Sequence, residues 1–157
     1  MDIAKWNKSF ETGDKLVDAQ HEELFRMVNA LHAAILENRS KDLLTPTLEK
    51  LVNYTVEHFR SEEALMAQVN YPAMAVHKWK HEDLTEKVQG LVRKYNSGQV
   101  VITVTLSNFL AEWLRYHIKE DDMRLMQYCQ AQPKSKAASS STSWRRQERV
   151  RSSRHRP

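Results

Sequence analysis

Four stretches of this chain place inward-facing residues at alternating steps of three and four, the spacing of a helix that turns one stripe toward its neighbours. The first stripe is Val17, His21, Leu24, Val28, Leu31 and Ile35. The second is Leu48, Leu51, Thr55, His58, Glu62, Leu65 and Val69, and the third is Met74, His77, His81, Leu84, Val88, Leu91 and Tyr95. Leu106, Leu110, Trp113 and His117 form the fourth. The stripes predict helices over residues 18–38, from between Ser40 and Thr45 to 68, over 73–95, and from about Thr103, with a short continuation to about Gln130. Pro46 suits a first helical turn behind a Thr45 cap, so an earlier start for the second helix calls for a bend. Asn70-Tyr71-Pro72 and Asn96-Ser97-Gly98 read as turns. Residues 99–105 have strand propensity, but a lone strand has nothing to pair with, so they are expected as a loop. Residues 1–16 read as an extended arm with Trp6 and Phe10 as apolar anchors.

With short connections, sequential helices become antiparallel neighbours, and the expected fold is all-α, an up-down-up-down four-helix bundle behind an N-terminal extended arm. The domain is expected over residues 1–131. The remainder, 132–157, is Ser/Arg-rich and expected to be a disordered tail. From residue 133 onward the chain holds two Lys, six Arg and one Glu, a net charge of +7, so the whole-chain figure of +4 conceals a bundle of −3. Only Trp144 interleaves the tail arginines and no amphipathic period runs through them, which points to a solubilising extension and no specific nucleic-acid partner. The lone Cys129 excludes an internal disulfide, no apolar run approaches a membrane span, and no leader-like segment opens the chain. These features predict a cytoplasmic protein without a transmembrane segment, and a monomer is expected.

The candidate chemistry lies on the stripes themselves. His21, His58, Glu62, His77, His81 and His117 stand where leucine is the default, and burying unpaired imidazoles and carboxylates costs several kcal/mol. Residues four apart share a helix face, so His58 with Glu62, and His77 with His81, each grip from one side. His21 begins the first helix, His58 and Glu62 end the second, His77 and His81 begin the third, and His117 ends the fourth. An antiparallel bundle brings all of these to one end. With a carboxylate from the Asp121-Asp122 pair, five imidazoles and two carboxylates converge, too many for one ion and suited to two bridged ions. More His than carboxylate favours iron, with zinc the alternative. Ideal spacing from His117 favours Asp121 as the second carboxylate; a π-bulge or helix end there favours Asp122. His32, one past Leu31, is off the stripe and expected to be exposed, and His155 falls in the tail. Met27, Met66 and Met74 are expected as core filler.

The set His21, His58-x-x-x-Glu62, His77-x-x-x-His81 and Trp113-Leu114-x-x-His117-Ile118-Lys119-x-x-Asp122, with Trp6 and Tyr71-Pro72, resembles the hemerythrins, and among them the single-domain bacterial ones, over about residues 1–130. The resemblance implies two iron ions, one held by His77, His81 and His117 and the other by His21 and His58. Glu62 and Asp122 would bridge them beside an oxo or hydroxo group, and the iron with two histidines would keep an open position for dioxygen. It further implies oxygen storage, or delivery to an oxygen-consuming enzyme, with no catalytic residues. Leu24, Phe59, Trp113, Leu114 and Ile118 lie near the ligand positions as candidate walls. No further Glu, Tyr or Cys stands on the stripes beside them, which favours carriage over turnover. A di-iron oxidase, peroxidase or nitric-oxide-handling enzyme is the alternative for the same residues.

Overall fold

A computed structural model of the chain describes residues 1–133. The expected tail, 132–157, lies outside the described residues but for its first two. Helices α1 (Lys15–Leu36), α2 (Lys41–Gln68), α3 (Met74–Asn96) and α4 (Val104–His117) form the bundle, and no strand occurs among the described residues. After α4 comes a π-helical turn, Ile118–Asp122, and then α5, Met123–Ala131. The fold is the all-α four-helix bundle that the stripes predict. Helix α1 packs against both α2 and α4, and α2 against α3.

The helix boundaries follow from capping chemistry. Asp14 Oδ1 accepts hydrogen bonds from the Leu16 and Val17 amides, both at 2.9 Å, and starts α1 three residues before the expected position. Asn38 and Asn70 take left-handed φ values of 49° and 51°, and Gly98 takes 77°. Beyond each, an amide reaches back five residues: Arg39 to Ala34 O, Tyr71 to Met66 O and Gln99 to Lys94 O. The same Schellman closure thus ends α1, α2 and α3, using the residues that tolerate left-handed backbone. Helix α2 takes the earlier of the two starts open to it, at Lys41, so Pro46 lies inside the helix. It comes early enough to remove a single amide donor, the one that would pair with the Asp42 carbonyl.

Residues 99–103 form the expected loop, and Ile102 anchors it in the core. The N-terminal arm contains one 3₁₀ turn, Lys8–Phe10, and is pinned to the bundle. Asn29 Oδ1 accepts from the Ile3 and Ala4 amides, and Asn29 Nδ2 donates to Ala4 O at 2.7 Å. Arg115 Nη1 donates to Ile3 O at 2.7 Å. Phe10 is buried and stacks on Trp6, and both rings meet Phe25 edge-on.

His32 corrects one expectation. It is buried, with 9 % exposure, and its Nδ1 lies 2.8 Å from Ser107 Oγ on α4. Because α1 touches two helices, its buried face is wider than one stripe, and Phe25, Met27 and His32 are enclosed beside the seam.

Two apolar clusters bracket the bundle end where the histidines gather. The main core runs up from Leu31, Leu48, Leu84 and Leu110. A smaller cluster of Val17, Met66, Leu125 and Met126 closes the end, with α5 as its cover.

Candidate metal centre

All seven side chains expected at the site come together, and each is no more than 3 % exposed. His21 projects from the second turn of α1, His58 and Glu62 from late α2, His77 and His81 from early α3, and His117 from the last residue of α4. The π turn supplies Asp122. Its extra residue lets the Met123 amide bond back to Ile118 O, and it carries Asp122, five residues on, to the Nε2 side of His117 at 3.0 Å. Asp121, four residues on, meets the other nitrogen of the same ring, Nδ1, at 3.1 Å. The cluster therefore contains Asp122, and Asp121 stands behind it.

The two carboxylates each divide their oxygens between two groups of imidazoles. Glu62 Oε1 lies 3.3 Å from His58 Nε2 and 3.7 Å from His21 Nε2. Glu62 Oε2 lies 3.3 Å from His81 Nε2 and 3.7 Å from His77 Nε2. Asp122 Oδ2 faces His21 Nε2 at 3.0 Å, while Oδ1 faces His77 Nε2 at 3.1 Å and His117 Nε2 at 3.0 Å. Two groups able to hold a cation result: Glu62, His77, His81, His117 and Asp122 in one, and His21, His58, Glu62 and Asp122 in the other.

The residues fit a pair of ions. All four oxygens of Glu62 and Asp122 are buried without a hydrogen-bond partner among the described residues, so the nitrogens beside them are close but not aimed as hydrogen bonds. Orphaned charged atoms on this scale are unfavourable unless a cation lies between them. His117 Nε2 is 3.2 Å from His77 Nε2 and 3.0 Å from His81 Nε2. Two nitrogens about 2.1 Å from one ion, at right angles, stand about 3.0 Å apart, so the spacing is that of adjacent ligands on one centre.

Electrostatics agree. Burial pulls the His21 imidazole down, but Asp122 and Glu62 outweigh it and push it up to about 9. His117 is likewise opposed by burial, yet Asp122, Asp121 and Glu62 push it up to about 10. Burial and the Asp122 charge press the Glu62 carboxyl upward, but His58 and His21 win and hold it well below the usual range. Asp122 is held low against burial, chiefly by His117, and Asp121 is held down to about 2 by His117 and Lys80. The raised His21 and His117 imidazoles thus stand against the lowered Glu62 and Asp122 carboxylates.

Around these groups, Leu24, Phe59, Leu114 and Ile118 are buried and Trp113 is half-buried. Phe59 lies flat on His81 at 3.8 Å between ring centroids, and Trp113 on His117 at 4.3 Å. Residues that hold the far nitrogens escaped the stripe analysis. Gln20 Oε1 is 2.9 Å from His58 Nδ1, and Glu63 Oε1 is 3.2 Å from His81 Nδ1. Both sit one position off a stripe, so periodicity does not single them out.

Comparison with known proteins gives the same picture. Residues 12–129 match the family described as the hemerythrin HHE cation binding domain. The bacteriohemerythrin of Methylococcus capsulatus is 34 % identical over 124 residues, 78 % of this chain and 93 % of that protein. A hemerythrin-like protein of Naegleria gruberi is 33 % identical over 119 residues, covering 76 % of this chain and 87 % of its own. A crystal structure of wild-type hemerythrin aligns with a TM-score of 0.72 at 30 % identity, over 77 % of this chain and 93 % of that one. With the bundle, the gathered histidines and carboxylates, and sequence similarity over most of its length all in accord, the chain belongs to the hemerythrin family.

Proposed function

We propose that this chain holds two iron ions, one by His77, His81 and His117 and one by His21 and His58, with Glu62 and Asp122 shared between them, and that it binds dioxygen reversibly. The observation that carries the reading is the division of each carboxylate, one oxygen toward each imidazole group. Reduced iron at such a centre supplies the electrons that dioxygen binding requires. The protein supplies the rest. Three imidazoles crowd one group and two serve the other, so the His21–His58 side has fewer donors and is the side assigned to the gas. The buried Leu24, Phe59, Leu114 and Ile118 are the apolar residues assigned to keep water and stray protons from the centre. The role that follows is oxygen storage, or delivery to an oxygen-consuming enzyme, by a monomer with no catalytic residues of its own. No helix among the described residues is long and apolar enough to cross a membrane.

The test is anaerobic reduction of the iron-loaded protein, exposure to air, and optical spectroscopy before and after oxygen is stripped. A coloured form that appears with oxygen and vanishes on its removal is expected. One-way conversion to the ferric state, faster with added reductant, would instead mark an oxidase or peroxidase. Failure to take up iron at all would return zinc to the front.

A further inference from the structure

The far nitrogens of the histidines are supported unequally, and the inequality follows the division into two groups. In the group of three histidines, His81 Nδ1 faces the Glu63 carboxylate at 3.2 Å and His117 Nδ1 faces the Asp121 carboxylate at 3.1 Å. In the group of two, His58 Nδ1 faces a neutral acceptor, Gln20 Oε1, at 2.9 Å, and the buried His21 Nδ1 has no hydrogen-bond partner among the described residues. Glu63 has no Lys or Arg within ion-pair distance among the described residues, whereas Asp121 is itself engaged by Lys80 Nζ at 2.6 Å.

An imidazole whose Nδ1–H donates to a carboxylate is a more electron-rich ligand through Nε2 than one backed by an amide or by nothing. We propose that Glu63, seconded by Asp121, is a positioning residue that ranks the two metal positions. The His77–His81–His117 position fills first and empties last because anions stand behind two of its three histidines, His81 and His117, and the His21–His58 position stays the more labile because none stands behind its own. Three ligands against two already biases the order. Glu63 adds a separate contribution, acting through the orientation and basicity of His81, whose ring is fixed between Phe59 on its face and Glu63 at its edge. This rests on the two-ion reading above.

The experiment is a titration of the full-length, metal-free protein with cobalt(II), whose visible bands report each coordination step, in the presence of a competing chelator. The wild type is expected to bind in two resolved steps. Glu63→Gln, which preserves shape and removes charge, should weaken the first step roughly 10–100-fold, the usual effect of losing such a partner, and leave the second within a few-fold. Asp121→Asn should act in the same direction but less, because Lys80 already offsets that carboxylate. Gln20→Glu places an anion behind His58 and should tighten the second step, bringing the two together. A merely structural role for Glu63 would lower the melting temperature of the metal-free variant and shift both steps alike, and that outcome overturns the proposal. So does an unchanged first step in a well-folded Glu63→Gln, whatever Gln20→Glu does. A wild type that binds one cobalt or none would overturn the two-ion reading itself, which keeps the two failures apart.

Discussion

Glu62 is the one α2 residue with an oxygen in each cation-holding group, so its isosteric change Glu62→Gln is the sharpest single perturbation of the centre. A ligand at a hundred times its dissociation constant stabilises the folded state by about 2.7 kcal/mol per site, so two filled sites give roughly 5 kcal/mol. For a chain of this size each kcal/mol moves the melting midpoint by about 2–4 °C, so anaerobic iron(II) should raise the wild-type midpoint by roughly 10–20 °C. E62Q removes a charged donor from both groups and should abolish most of that rise, with iron falling below one ion per chain. His58→Ala, which touches only the smaller group, should leave roughly half. Metal-free E62Q should melt within a few degrees of the metal-free wild type, because the surrounding imidazoles shed a proton rather than remain buried as uncompensated cations. Differential scanning calorimetry with parallel iron analysis checks all three. Two irons per chain and an undiminished rise in E62Q would refute the shared-carboxylate geometry.

Metal loading should release about two protons per chain near neutral pH, because His21 and His117, pushed up to about 9 and 10, must lose theirs to become ligands; indicator-dye measurement in weak buffer reads this directly. The same shifts set the alkaline side of metal-free stability. A histidine raised above its ordinary value of about 6.5 contributes fully below that pH, and the contribution declines above it until it is gone past 9–10, so the metal-free midpoint should fall from about pH 6.5 to about 10. Asn29→Ala removes the three hydrogen bonds that tie Ile3 and Ala4 to α1 and should cost about 1–3 kcal/mol. Limited proteolysis cutting first within residues 1–10 is the expected sign, with Trp6 fluorescence shifting to the red. Phe59→Ala opens a hole against His81 and should cost about 3–5 kcal/mol in urea unfolding.

The stripes revealed the bundle and the meeting of the five histidines with Glu62 because both depend on helical period and short connections, which are local properties. The choice between Asp121 and Asp122 was not local in that sense. Period 3.6 favours Asp121, and only the π turn, closed by the Met123 amide on Ile118 O, brings Asp122 inward. His32 was misplaced because one stripe describes contact with one neighbour, and α1 has two. Glu63 and Gln20 were invisible to periodicity since their work is done at the edges of rings that other residues present.

The π turn also links two properties that seem independent. One residue of an α-helix spans about 100° of rotation, so winding the π turn into a regular helix with the same residues would move the Asp121 carboxylate toward the bridge. It would also turn α5 out of phase, carrying Leu125 and Met126 away from Val17 and Met66. A single insertion thus sets both the second carboxylate and the angular phase of the cap that seals the site from below. Neither can drift in sequence length without disturbing the other.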